Sequence, residues 1–339
     1  MNRLALAALL AGMILPRPTA AAAGEPVRII FDSDFNTDCD DLAALAILHA
    51  LADNGEAEIL ATLASSRFPW SPAAMDVVNT YYGRPDIPTG APKTGFAGTS
   101  KFAEKLARRF PRDTGTADTV PDALEVYRRI LAAKPDGSVV IVTVGYLTNI
   151  AGLMKTPPDA HSPLNGMELI RRKVARWVCM GGNFHSDSRD NVNFKRDAPS
   201  AVHAINNWPV NVTFATREVG SIPSPLRMGR QLAEAPGSNP VRAGYEYYFD
   251  GTARDRHCAD PAAVLYAVRG QRDYWDIETR GHVRFLNDEA DFVWDRSTDR
   301  DQDYLVPRGG PSVYANRKEI TDVLIGLLMQ PPKAAGKRK

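Results

Sequence analysis

The chain has 339 residues, 44% of them hydrophobic and 24% charged, and a formal net charge of +1. These values fit a folded domain rather than a disordered or fibrous chain, and the length suits one large α/β domain or two smaller ones. The near-neutral balance gives no electrostatic reason to expect nucleic acid or an anionic membrane as a partner.

Residues 1–24 carry a targeting pattern. Arg3 precedes an apolar run from Leu4 to Leu15, followed by Pro16, Pro18 and the small residues Ala20 to Gly24. This predicts a secretory signal peptide over residues 1–23, cut near Ala22 or Ala23, and an exported, periplasmic mature protein. The run is too short to span a bilayer, and an uncleaved anchor is the alternative. The three cysteines, Cys39, Cys179 and Cys258, are too few for a disulfide framework and lack zinc-finger spacing.

The apolar run Val27 to Phe31 reads as a buried strand, and Leu42 to Leu48 reads as a helix. Between them stand five aspartates, Asp32, Asp34, Asp38, Asp40 and Asp41. The acids therefore crowd the carboxyl end of a strand, the edge at which open α/β sheets bind ligands. Carboxylates packed so closely repel one another unless protons or a hard divalent cation gather them. The spacing is not that of an EF-hand, which needs a glycine at the turn and a glutamate at the end. The structural alternative is a solvated turn in which Asp40 or Asp41 caps the helix.

Farther along, strands are predicted at Glu58–Ala64, Ser138–Val144, Arg176–Met180 and Pro209–Phe214. Helices are predicted at Ala73–Tyr82, Asp122–Lys134, from Leu147, and at Ala198–Asn206, Asp260–Val268 and Lys318–Met329. Strand and helix alternate without repeats or a flexible linker. The expectation is a single doubly wound, mostly parallel open sheet flanked by helices over residues 24–331, then a basic disordered tail at 332–339. Residues 89–118, with a helical piece at Lys101–Phe110, and residues 221–256 read as long excursions from this framework.

Several strands end in polar clusters. Ser65-Ser66-Arg67 follows the second strand, and Val144-Gly145-Tyr146-Leu147-Thr148-Asn149-Ile150-Ala151 follows the third. Met180-Gly181-Gly182-Asn183 ends the fourth and leads to Asp190-Asn191-Val192-Asn193-Phe194-Lys195-Arg196-Asp197. Near the end stands His257-Cys258-Ala259-Asp260-Pro261.

Together these motifs resemble the inosine–uridine preferring nucleoside hydrolases, from Val27 to about Leu328. The resemblance implies a calcium ion held by Asp34, Asp41, Asp260 and the Val144 carbonyl, with Asp40 as the general base. It implies that Asn193, with Asn183, grips the ribose, and that Glu218 is a further ribose contact. Asn191 falls where the family has a glutamate, and Ser65, Ser66 or Arg67 replaces an asparagine after the second strand. Ala259 stands where some members carry a histidine that protonates the leaving base, which makes His257 the candidate substitute acid. The loop from Asp34 to Asp40 is longer than the shortest versions of the motif, and this leaves the role of Asp38 open. If one metal joins the two loops, Cys39 and Cys258 are neighbours, as a disulfide or as free thiols.

The implied activity is calcium-dependent hydrolysis of the N-glycosidic bond of a ribonucleoside or related N-riboside, through an oxocarbenium-like transition state. The partner is a small molecule, with a homo-oligomer as the family's common assembly, and the two excursions are expected to cover the base side of the pocket. Two alternatives remain, an exported calcium-dependent receptor for a ribosyl ligand and a haloacid dehalogenase-type phosphatase. The segments around Gly145 and Asp260 have no use in the phosphatase chemistry.

Overall fold

A computed structural model describes residues 24–185, 191–221, 226–309 and 317–333. The expected signal segment, Asp190 and the tail from residue 334 lie outside these residues. The first half of the chain contains β1 (Val27–Ser33), α1 (Asp40–Asp53), β2 (Ala57–Ala64), α2 (Ser71–Tyr81), β3 (Thr89–Gly90) and α3 (Ala103–Arg109). It continues through α4 (Ala123–Ala133), β4 (Val139–Thr143), α5 (Thr148–Met154), α6 (Gly166–Lys173) and β5 (Val174–Met180). Next come α7 (Val192–Lys195), α8 (Ala198–Asn207), β6 (Val212–Ala215), α9 (Arg217–Gly220) and β7 (Arg227–Met228). Beyond these lie α10 (Pro240–Tyr248), β8 (Arg256–His257), α11 (Ala259–Arg269) and β9 (Trp275–Glu278). The last elements are β10 (His282–Phe285), β11 (Phe292–Asp295), β12 (Gln302–Pro307) and α12 (Arg317–Leu328).

Eight strands form one sheet in the order β3-β2-β1-β4-β5-β6-β12-β9. All neighbours are parallel except β12 and β9. The order reverses between β1 and β4, so the chain leaves these two strands toward opposite sides and opens a crevice at their carboxyl ends. The strands are apolar because both faces are covered. Along β1, Ile29 and Phe31 join the core on one face and Ile30 joins the core on the other. The same alternation runs through β4, with Val140 and Val142 on the first face and Val139 and Ile141 on the second. Helices α1, α11 and α12 cover one face, and α4, α5, α6 and α8 the other.

The expected fold class is the observed one, with additions. Helix α6 is a short amphipathic piece whose start is fixed by Asn165 and Glu168, which accept each other's backbone N–H groups. Strands β9, β10 and β11 have only 4 residues each, and with β12 they carry Asp276, Glu278, Arg284, Asp295 and Asp303, so no long apolar run announces them. Cys39, Cys179 and Cys258 are all buried free thiols. Cys39 and Cys258 stand at the starts of α1 and α11, which pack together, so the two loops do meet without a disulfide.

One brace locks the switch point. Asp32 is wholly buried, and its Oδ2 accepts from the Tyr127 hydroxyl at 2.8 Å and the Asn149 amide at 3.0 Å. Asn149 also donates to the Ala64 carbonyl at 2.8 Å, tying β1, β2, α4 and α5 at one point. Burial pushes the Asp32 carboxyl up to about 7 despite these hydrogen bonds. Asn149→Ala leaves two buried acceptors short of a donor. Urea denaturation should show a loss of about 1–3 kcal/mol, and an unchanged midpoint would contradict the brace.

Candidate active site

The loop after β1 is held in place by the residues around it. Phe35 adopts φ 46°, a conformation that favours glycine, yet its ring is buried against Phe102. The Ser33 hydroxyl accepts from the Phe35 N–H at 3.0 Å. The Asp34 carbonyl accepts from the Ser66 and Ser71 hydroxyls, each at 2.9 Å. These contacts offset the unfavourable backbone and aim Asp34 into the crevice. Gly145 packs directly on this loop: a Cβ there would come within 2.2 Å of the Asp34 backbone nitrogen and 2.5 Å of the Ser65 hydroxyl. Glycine is therefore required for the β4 and β1 loops to touch.

A cavity of about 250 Å³ opens at this junction. Asp34, Asp38, Asp40, Asp41 and Asp260 form its acidic side, and Val144, Asn191, Asn193 and Arg217 help to close it. Asp40 and Asp41 begin α1, and Asp260 sits in the first turn of α11. Carboxylate oxygens of Asp40, Asp41 and Asp260 lie within 4.8 Å of one another. Among the described residues, no Lys, Arg or His side chain pairs with Asp34, Asp41 or Asp260. Burial, with the Asp40 charge adding to it, pushes Asp34 up to about 6. Burial and the neighbouring aspartates also hold Asp41 and Asp260 well above the usual carboxylate range.

The donor set is all oxygen and strongly anionic, and among the described residues no side-chain cation pairs with these three acids. That is the chemistry of a site for a hard divalent ion. The Val144 carbonyl borders the same cavity and accepts from the Asn193 amide at 3.1 Å, which leaves a second lone pair. Asp38, Asp40 and His257 form a second close donor group. There, however, the chain supplies its own cation: Arg256 grips Asp38 through Nε at 2.8 and 3.0 Å and through Nη2. Burial opposes the Asp38 charge, but Arg256 and His257 outweigh it and hold the carboxyl below its usual range.

A family model described as inosine-uridine preferring nucleoside hydrolase matches residues 29–303. The chain belongs to this family. It is accordingly an N-glycosyl hydrolase of a metal-dependent family acting on N-ribosyl bonds, which sets aside the phosphatase and non-catalytic receptor alternatives. Solved structures of the same fold include a plant nucleoside hydrolase, PpNRh1, at 19% identity and TM-score 0.62, covering 90% of this chain and 100% of that one. The Bacillus anthracis inosine-uridine preferring nucleoside hydrolase matches at 15% identity and TM-score 0.63, covering 89% and 99%. The type III effector XopQ, solved with adenosine diphosphate ribose, matches at 14% identity and TM-score 0.63, covering 91% and 94%. No curated protein sequence matches the chain significantly.

The hydrolase fold brings together most of the residues singled out from the sequence. Asp34, Asp40, Asp41, Val144, Asn191, Asn193, His257 and Asp260 all line the one cavity. Asn183 and Glu218 do not. Asn183 is buried outside the lining, beyond the turn at Gly182 with φ 89°, and the Glu218 Oε1 accepts from the His185 N–H at 2.7 Å. Asn193 is turned in part to structural use: its amide nitrogen donates to the Val144 and Met180 carbonyls, each at 3.1 Å, so only its Oδ1 remains for a ligand hydroxyl. Asn191 likewise caps α7 by accepting from the Phe194 N–H. Thr37, Arg217 and Arg256 line the cavity without having been expected. The surplus acid Asp38 was the signal for Arg256, because a partly buried charge needs a partner.

Without metal, the raised carboxyl values have a definite pH consequence. Asp34 binds its proton more tightly folded than unfolded, with a value raised to about 6 from the ordinary carboxylate range, and Asp41 and Asp260 shift the same way. Where the folded state holds more protons, stability falls as pH rises. Chelated protein should therefore lose thermal stability from pH 4 upward through 7, and added divalent ion should restore it. A melting temperature of chelated protein that is flat over this interval would contradict the assignment.

Proposed function

We propose that the chain hydrolyses the N-glycosidic bond of a ribonucleoside or closely related N-riboside, with calcium as its ion. The observation that carries this reading is the set Asp34, Asp41, Asp260 and the Val144 carbonyl, gathered around one cavity, with none of the three acids in a salt bridge among the described residues. Calcium suits these donors because they are carboxylate and carbonyl oxygens drawn from strand-end loops and helix starts, and calcium does not demand strict octahedral geometry. When bound, the ion supplies a charge that orients and acidifies a water and engages sugar hydroxyls.

The chain's own residues do the rest. Asp40 lies between the ion site and His257, whose Nε2 is 3.3 Å from the Asp40 Oδ2. Asp40 takes the proton of the attacking water as the sugar passes through an oxocarbenium-like state. His257 also lies 3.6 Å from Asp38, on the acidic side of the cavity. In this reading it orients Asp40 and is not the acid for the departing base. The Asn193 Oδ1 and the Asn191 amide hold ribose hydroxyls through directional hydrogen bonds. The targeting pattern of residues 1–23 supports the further proposal that the protein is exported.

Asp40→Asn keeps the size and the metal set while removing the base. It should retain calcium by isothermal titration and lose about 100-fold or more in turnover on nucleosides. Parental turnover by this variant would show that another group accepts the proton.

A further inference from the structure

The hydrolase reading leaves one requirement to be met. When the C1′–N bond breaks, its electron pair moves onto the base nitrogen, and some group must stabilise it. Ala259 offers only a methyl group, and His257 is held against Asp40 and Asp38.

A second cavity of about 580 Å³ adjoins the first. Thr99, Ser100 and Lys101 line it from one long excursion, and Tyr248, Phe249 and Asp250 from the other. Thr37 and Arg256 line both cavities and so mark the passage between them. Arg256 is fixed on one edge by Asp38, through Nε and Nη2, and its guanidinium lies 5.5 Å over the Tyr248 ring. Its Nη1 makes no hydrogen bond among the described residues. A guanidinium locked along one edge presents the donors of its other edge in a fixed direction, which is the arrangement that stabilises developing charge.

We propose that Arg256 is the catalytic residue on the leaving-group side, donating from Nη1 to a nucleobase lodged in the second cavity, with Asp38 as its positioning residue. The proposal rests on the hydrolase reading. In the step, the water oxygen bonds to C1′ and its proton passes to Asp40. The C1′–N electron pair departs with the base nitrogen, where the Arg256 hydrogen bonds offset the charge. Arginine keeps its proton, so the base takes its proton from solvent afterwards. The extra length of the loop bearing Asp38 thereby acquires a purpose: it holds the arginine at the mouth between the two cavities.

The test compares two kinds of substrate on calcium-loaded enzyme: a panel of purine and pyrimidine nucleosides, and p-nitrophenyl riboside, whose leaving group departs unaided. Arg256→Gln should lower kcat on nucleosides by about 100-fold, with a loss on p-nitrophenyl riboside at least tenfold smaller. Asp38→Asn should show the same selectivity at smaller amplitude. If Arg256→Gln fails to fold, Arg256→Lys serves in its place, because an ammonium cannot reproduce the anchored fork. Equal losses on both kinds of substrate would make Arg256 merely structural and overturn the proposal. So would a wild-type enzyme that cleaves p-nitrophenyl riboside but no nucleoside. A wild-type enzyme that cleaves neither would overturn the hydrolase reading itself.

Discussion

Repulsion among buried carboxylates is the constraint on which the rest of this structure depends. At an effective dielectric of about 20, two unit charges separated by the spacing at Asp40, Asp41 and Asp260 cost roughly 3–4 kcal/mol per pair. A whole domain is stable by only about 5–15 kcal/mol. Several ionised aspartates at one sheet edge are therefore tolerable only with counter-charge. Asp38 obtains it from Arg256 within the chain. Asp34, Asp41 and Asp260 have no such partner among the described residues, and the counter-charge must come from protons or from an ion. The metal-dependent family to which the chain belongs points to the ion.

Holding such a cluster together takes stiffness, and the surrounding residues supply it. Ser66 and Ser71 fix the Asp34 carbonyl, the Ser33 hydroxyl donates to Asp41, and the Asp32 brace joins two strands to two helices beneath the site. Gly145 lets two loops touch where any side chain would part them. None of these residues need meet the substrate, yet each fixes where a reacting group stands. The hydrophobic layers on both sheet faces hold the strand ends in register, so the crevice is formed before a ligand arrives.

Much of this was legible in the sequence, for a physical reason. A parallel strand covered on both faces must be apolar throughout, so β1, β2, β4 and β5 stood out, and their ends located the polar loops. The acids after β1 drew notice because they crowd a strand end, whereas the roles of Asp34, Asp40, Asp41, Val144 and Asp260 came from the resemblance to the nucleoside hydrolases. Asn183 and Glu218 also follow strands but stand outside the cavity lining, because strand-end position does not fix the direction of a side chain after a turn such as Gly182. Arg256 was missed because it lies on the two-residue strand β8, after a long excursion with no periodic signal. Its partnership with Asp38 spans 218 residues and exists only in three dimensions. Strand β12 was missed for a related reason: it pairs with β6 through residues that alternate only weakly between polar and apolar.

The central claim is that a cation gathered by these aspartates, with Asp40 beside it, drives cleavage of a ribosyl bond. The most direct measurement is release of p-nitrophenol from p-nitrophenyl riboside by the protein with calcium, after chelation, and after calcium is restored. The account predicts turnover that vanishes with chelator and returns with the ion. Turnover unaffected by chelation, or none in the presence of tightly bound calcium, would contradict it.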